Sequence, residues 1–210
     1  MHNVQNLSFV ASSKSSIIDA TEPIKVIMKN IMVLIMTIML SSCGSTSSLR
    51  STKESAKLPD FSRYNYVIVN DFKDGSTKSS DDPHIISEGK KFADIIASSI
   101  KSTKLFDKVE RNTDSTDTAI VIEGKITKYN EGNVVTRTLI GFAGRSYFDA
   151  EVNIRDNETN QLLGNIDVNK RSWALGGIIA GTQDVNSHMN AAASKIANEC
   201  AIATKRKNKS

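Results

Sequence analysis

The sequence predicts an α+β fold, a two-layer sandwich in which two helices pack on a mostly antiparallel sheet in the order β-α-β-β-β-β-α. Three observations predict this class. Apolar residues recur at helical spacing in 88–105 and again in 184–205. Between these segments, apolar and polar residues alternate along 146–155 and 161–170, as is typical of paired, half-buried strands. A run of aromatic and β-branched residues at 64–72 predicts the first strand.

The helix and strands before the hairpin are predicted from the apolar residues that would face the core. A polar loop is expected at 73–83, ahead of the first helix. The apolar stripe of that helix is Phe92, Ile95, Ile96 and Ile100. A short strand is expected around 108–110, and a longer one at 118–129 with a turn at 130–133. The longer strand would place on one face Ile120, Ile122, Gly124 and Ile126.

The hairpin and the second helix complete the predicted core. The first hairpin strand would bury Phe148, Ala150, Val152 and Ile154, and the second Leu162, Ile166 and Val168. Polar residues at 156–160 reverse the chain between them. The helix would bury Val185, Met189, Ala192, Ala193, Ile196 and Cys200. The chain has two cysteines, and we expect Cys200 to act as a small hydrophobe without a disulfide partner.

The amino-terminal part of the chain predicts a lipoprotein signal. A short basic flank at 28–30 precedes an almost wholly apolar run at 31–40. That run is shorter than the ~20 residues that a comfortable membrane span needs. Leu40-Ser41-Ser42-Cys43 then matches the lipobox of bacterial lipoproteins, which implies cleavage before Cys43 and lipid on that residue. The alternatives are an uncleaved anchor helix and a buried core segment.

Segment boundaries follow from this assignment. Residues 1–27 do not fit a signal and are expected to precede the true start, 28–42 form the signal peptide, and 43–60 form a flexible Ser/Thr/Lys-rich tether. One α/β domain is expected over 61–205, followed by a basic tail at 206–210.

Composition and motifs argue against several functions. A net charge of +4 without a clustered basic face does not indicate nucleic-acid binding. The histidines His2, His84 and His188 have no neighbours at metal-ligand spacing, so we expect His84 and His188 to be surface residues. The Gly-rich stretch 176–182 lacks the lysine of a phosphate-binding loop. No catalytic residue, cofactor or metal is therefore predicted, and the protein is expected not to be an enzyme.

The most informative functional feature is a pair of apolar, glycine-rich loops at 139–144 and 175–181. The hairpin should bring them to the same end of the sheet, because its first residue lies beside its last. They could form a patch for a partner, a second subunit or lipid, or they could cover the end of the core. The candidate interface residues are Leu139, Ile140, Phe142, Arg145, Gly176, Gly177, Ile178 and Ile179.

From Cys43 onward, the chain resembles the bacterial lipoproteins catalogued as domain of unknown function 4410. The residues that carry the resemblance are Val67–Phe72, Leu105–Val109, Ile122–Ile126, Phe142–Ser146 and Gly176–Gly177. This resemblance implies no activity. A looser likeness to envelope assembly factors, such as the curli secretion lipoprotein, is one of fold alone.

Together these features lead us to expect a membrane-anchored envelope lipoprotein that works non-enzymatically, by protein–protein contact or assembly. A module that binds a small ligand or cell-wall glycan near the Gly-rich loops is the alternative, and a hydrolase is the least favoured. The residue after Cys43 is Gly44. An aspartate at that position would retain the protein at the inner membrane. By the enterobacterial sorting rule, this predicts lipid anchoring in the outer membrane, facing the periplasm.

Overall fold

The computed structural model describes residues 45–51, 59–76, 82–140, 142–172 and 177–206. Within these ranges, the chain forms one mixed sheet and four α-helices. The α+β class predicted from the sequence is confirmed.

Six strands build the sheet: β1 (Tyr66–Val69), β2 (Lys73–Asp74), β3 (Lys108–Arg111), β4 (Ile120–Asn130), β5 (Tyr147–Asp156) and β6 (Leu162–Arg171). Their order is β3-β1-β4-β5-β6, with β2 pairing separately to β4. β1 runs parallel to both β3 and β4, whereas the long ladders β4–β5 and β5–β6 are antiparallel. Because those two ladders are the longest, the sheet is mostly antiparallel.

The helices are α1 (Pro83–Thr103), α2 (Val134–Ile140), α3 (Gly177–Thr182) and α4 (Val185–Thr204), and a 3-10 turn spans Phe142–Gly144. Side-chain caps fix where the two long helices begin. Asp82 accepts a hydrogen bond from the backbone N–H of His84, and Asp184 accepts one from that of Ser187. α1 ends at Lys104, which adopts the left-handed conformation with φ of 55°.

The core lies between one face of the sheet and the pair α1 and α4. Phe92, Ile96 and Ile100 of α1 are fully buried, as the apolar stripe predicted. The ring of Phe92 packs edge-to-face between Phe72 and Phe148, with centroids 4.9 and 4.8 Å away. Cys200 of α4 is fully buried, and burial raises the pKa of its thiol to about 12, so it is inert at neutral pH.

The expected flexible tether over 43–60 is wrong for residues 45–51. This segment runs antiparallel to β6, with bridges from Thr46 to Val168 and from Arg50 to Asn165. Leu49 is buried, and its backbone N–H donates to the carboxylate of Glu199 at 3.0 Å. Composition alone misses this packing because it depends on distant partners. Of the rest of the expected tether, 43–44 and 52–58 lie outside the described residues, while Pro59 is buried and its carbonyl accepts a hydrogen bond from Arg206.

Two other differences concern the segments that flank the hairpin. The predicted loops at 139–144 and 175–181 are largely helical, as α2, the 3-10 turn and α3. The residues of α2 include Val134, Val135 and two threonines, whose β-branched side chains disfavour an isolated helix. Packing between α2 and α3 overrides that preference. The predicted loop at 73–83 likewise contains the short strand β2.

Candidate functional site

The antiparallel register of the hairpin positions the candidate site. Tyr147, the first residue of β5, pairs with Arg171, the last residue of β6. α2 and the 3-10 turn lead into β5 and α3 follows β6, so all three lie at this end of the sheet, where α2 and α3 contact each other. The structure thus brings together the two segments that the sequence placed side by side.

A buried arginine holds these helices together. The side chain of Arg137 in α2 is fully buried. Its guanidinium donates to the carbonyls of Ala180 at 2.7 Å and Gly181 at 3.3 Å, both in α3. It also donates to the carbonyls of Glu131 and Gly144, each at 3.1 Å. Arg137 therefore fastens α3, the 3-10 turn and the end of β4 to α2.

Below the helices lies a buried polar cluster of Ser146, Ser172 and His188. The backbone N–H of Ser146 donates to the hydroxyl of Ser172 at 3.1 Å, and the N–H of Ser172 donates to the carbonyl of Ser146 at 3.0 Å. The hydroxyl of Ser146 donates to the carbonyl of Gln183 at 2.5 Å. His188 Nε2 lies 3.1 Å from that hydroxyl oxygen, and we assign Nε2 as the donor because the hydroxyl hydrogen is already used.

The expectation that His188 is a surface residue is wrong. Its side chain is buried, and burial, followed by the nearby charge of Lys170, lowers its pKa to about 4. The contact with Ser146 spans 42 residues along the chain, so no local spacing signals it. A serine beside a histidine can act as nucleophile and base, but Ser146 is fully buried and its proton is held by Gln183. In this structure the pair serves packing.

Above the helices, apolar side chains face solvent in a group that we name the end surface. Its members are Val134, Val135, Leu139, Ile140, Phe142, Ile178 and Ile179. They are between 54% and 83% exposed, and Ile202 is the one other large hydrophobic side chain that is exposed among the described residues. These side chains do not cover the core, which was one of the two alternatives for this region. Large apolar groups concentrated in this way usually mark a contact surface.

The other candidate interface residues lie near the end surface with different roles. Arg145 is half-buried and donates from Nε to the carbonyl of Ser172 at 3.2 Å. Gly177 starts α3 with φ of +87°, a conformation that L side chains rarely adopt. Gly176 lies outside the described residues, and so does Cys43, the predicted lipid site.

Charged residues of both signs lie near the end surface. The sequence 132–148 and the sequence 168–183 together contain four cationic residues and no aspartate or glutamate. The cations are Arg137, Arg145, Lys170 and Arg171. Of these, Arg171 contacts a buried carboxylate, Asp149, at 3.3 Å. Exposed Glu131 and Asp184 border the same surface, since both line a cleft with Val134, whereas Arg137 is fully buried.

Two clefts of about 380 and 370 Å³ are found on the described residues, one between α1 and α4 and one along β2 and β4. A cleft of about 210 Å³ lies beside α2, lined in part by Tyr129, Glu131 and Asp184. It is smaller than the ~300–1,000 Å³ of most ligand sites. Among the residues described, no group of His, Cys, Asp or Glu is arranged to hold a metal ion. In the same part of the chain, no helix has the length and apolar character to cross a membrane.

Solved structures with a similar fold are known. The PelC dodecamer from Paraburkholderia phytofirmans is 11% identical, with a TM-score of 0.50 over 74% of this chain and 97% of that one. A point variant of that dodecamer is 12% identical, with a TM-score of 0.50 over 73% of this chain and 98% of that one. A Xanthomonas campestris protein of the family DUF330 is 7% identical, with a TM-score of 0.43 over 73% of this chain and 95% of that one. At these identities the PelC likeness shows a shared fold.

Comparison at the level of sequence identifies the family. No significant match is found among curated proteins. A family model matches residues 58–176, which is more than half of the 210-residue chain, and it confirms the resemblance inferred from the sequence. The chain belongs to the family described as domain of unknown function 4410.

Proposed function

We propose that the protein is a membrane-anchored lipoprotein of the bacterial envelope that acts non-enzymatically, by contact and assembly at the membrane surface. The observation that carries this proposal is the end surface. Its side chains, such as Phe142 at 71% and Ile178 at 83% exposure, stand in water without a cover among the described residues. Exposing apolar area costs roughly 25 cal/mol per Å², so a surface of this kind is stable when another component covers it.

The sequence supports the anchor. The lipobox ending at Cys43 follows an apolar run of signal-peptide length. Several acyl chains on one residue hold a protein firmly, because each buried CH₂ contributes ~0.8 kcal/mol. We expect the outer membrane as the destination, with the domain in the periplasm, because Gly44 follows Cys43.

Anchoring is tested by metabolic labelling with a fatty-acid probe in a Gram-negative host. The full chain should incorporate the probe, and the Cys43→Ser variant should not. The Cys200→Ser variant is the matched control, since that thiol is buried and should not accept lipid. Equal labelling of the wild type and of Cys43→Ser would remove the basis for the anchor. Fractionation of the same cells checks the destination.

Self-assembly is supported by the likeness in fold to PelC, which was solved as a dodecamer. The test is crosslinking of the full chain in intact envelopes, followed by size analysis of the detergent-extracted protein. We expect species larger than the monomer. A protein that remains monomeric under both conditions, and that crosslinks to no other envelope protein, would contradict contact and assembly as the function.

The same experiment asks whether the end surface makes the protein–protein contact. Phe142→Asp places a charge on that surface, whereas Ile202→Asp places one on the exposed part of α4. Loss of crosslinks with Phe142→Asp alone, in a protein that still melts normally, would assign the end surface to a protein interface. Crosslinks that survive both substitutions would place the interface elsewhere and leave the end surface open for another occupant.

A further inference from the structure

The geometry points to the lipid bilayer as the occupant of the end surface: its apolar side chains enter the leaflet that holds the lipid on Cys43. This inference rests on the proposed anchoring at Cys43. It names lipid, rather than a protein, as the partner of the end surface, and leaves assembly to other surfaces of the domain.

Residues 45–51 run along β6 and determine at which end of the sheet the anchor lies. The carbonyl of Ser45 accepts from the backbone N–H of Asn169 at 2.8 Å, and Ser47 donates to Asp167 at 2.8 Å. Because this segment is antiparallel to β6, following it back toward its start leads toward Arg171. Arg171 is the residue of β6 at the end where α2 and α3 lie. The chain therefore approaches Cys43 at the end of the sheet that carries the end surface.

Chain length fixes how far the anchor can be from this end. Cys43 is two residues before Ser45, and a chain spans at most ~3.6 Å per residue, so Cys43 lies within about 7 Å of Ser45. Asn169, which pairs with Ser45, is itself two residues from the end of β6, a rise of about 7 Å. A lipid on Cys43 would hold this end of the sheet at the membrane surface.

The position of residues 45–51 is fixed by contacts on both sides. Leu49 is buried in the core, and the ion pair of Arg50 with Asp167 adds a contact along β6. Gly164 permits the approach, since a Cβ there would lie 2.8 Å from the carbonyl oxygen of Arg50. The anchor is thus attached through a docked segment and not through a long free tether, which sets the orientation of the domain on the membrane.

The composition of the end surface suits a membrane better than a soluble partner. Its exposed side chains are aliphatic apart from Phe142. Half-buried Arg145 and Lys170 flank it and can meet anionic headgroups. The carboxylates of Glu131 and Asp184 lie on the side of Val134. Short apolar helices at an interface sink ~5–10 Å into the boundary between headgroups and acyl chains.

A membrane-depth probe on the full-length, lipidated chain tests the inference. An environment-sensitive dye is attached to Phe142→Cys, and to Ile202→Cys as the matched control. Ile202 is exposed and lies 17 residues beyond Val185, a rise of about 25 Å along α4 away from the end surface. Cys200 should not react, because it is fully buried with its pKa raised to about 12. The lipidated Cys43 has no free thiol.

The proteins are reconstituted in vesicles of phosphatidylcholine and phosphatidylglycerol, with and without nitroxide groups on the acyl chains. We expect the nitroxides to quench the dye on Phe142→Cys about twofold or more, since a ring that sinks below the headgroups reaches them. The dye on Ile202→Cys should not respond. Equal emission from Phe142→Cys with and without nitroxide would overturn the inference. A blue-shifted dye that the nitroxides do not quench would overturn it in favour of a protein cover.

The controls separate this inference from the proposed function. Dye incorporation into the wild-type chain would show that Cys43 carries a free thiol, and then the anchoring itself fails. No incorporation into the wild type, combined with no quenching of Phe142→Cys, would leave the anchor in place and reject lipid as the occupant. Loss of crosslinks with Phe142→Asp would also reject lipid, while supporting assembly.

Discussion

Replacing Arg137 by methionine should release α3 from α2 while the sheet stays folded. Methionine retains most of the apolar stem of arginine, but it donates no hydrogen bond. The carbonyls of Ala180, Gly181, Glu131 and Gly144 would each lose a donor. The substitution therefore acts on the attachment of the two short helices and leaves the packing of α1 and α4 intact.

The size of the effect follows from the number of bonds lost. Each hydrogen bond contributes about 1 kcal/mol net, and two of the four bonds of the Arg137 guanidinium reach α3, so the attachment of α3 should weaken by roughly 2 kcal/mol. Since each ~1.4 kcal/mol is a factor of ten in an equilibrium constant, amide exchange in α3 should rise about thirtyfold. Exchange in β5 should change little, because its ladder hydrogen bonds do not depend on Arg137.

Hydrogen exchange followed by mass spectrometry measures this directly. Arg145→Met is the matched control, since Arg145 donates one bond to the carbonyl of Ser172 and should cost about 1 kcal/mol, or roughly fivefold in exchange. If Arg137→Met increases exchange in α3 no more than Arg145→Met does, the two bonds from Arg137 are not what holds α3. If β5 exchanges faster as well, the helices and the sheet unfold as one unit.

Three further outcomes are expected. Ile96→Ala should lower the free energy of unfolding by ~2–5 kcal/mol in denaturant titration, because Ile96 is fully buried; an unchanged midpoint would contradict its packing. Burial lowers the pKa of His188 in the folded state from 6.5 to about 4. Because the unfolded state then binds the proton more readily, the free energy of unfolding should fall as the pH drops from 6.5 to 4. His188→Gln should flatten that dependence. Burial raises the pKa of Asp156, but the hydrogen bond from Tyr64 helps to hold it at about 2. The stability that this carboxylate contributes above pH 3.8 should therefore be lost as the pH falls toward 2. The melting temperature of Asp156→Asn should not show this loss of stability in acid.

The elements that sequence predicts well are those with a strong local period. The alternation in β5 and β6 and the stripe of Phe92, Ile96 and Ile100 fix their buried faces without reference to the rest of the chain. For the same reason, the antiparallel hairpin allowed the two flanking segments to be placed at one end. Their exposed apolar side chains could be identified from the sequence as candidate interface residues.

Contacts between distant segments could not be predicted in this way. The docking of residues 45–51 depends on Gly164 and Asp167 in β6, and nothing in the polar composition of the segment signals it. The burial of Arg137 depends on carbonyls supplied by α3, which lies about 40 residues further along. The Ser146 and His188 contact is equally remote in sequence. A single sequence without tertiary information contains no period that reports such pairs.

The docked segment 45–51 also limits how copies of the chain could join. Strand-by-strand addition needs two bare sheet edges on each copy, one to receive and one to donate. Within the described residues, β3 ends the sheet on one side, while residues 45–51 cover β6 on the other with an irregular chain that bridges at Thr46 and Arg50. Pairing through β3 alone closes after two copies, because a two-fold contact uses the same edge on both. Among the described residues, growth by strand addition therefore stops at two copies, and a larger particle formed by them would use side-chain contacts.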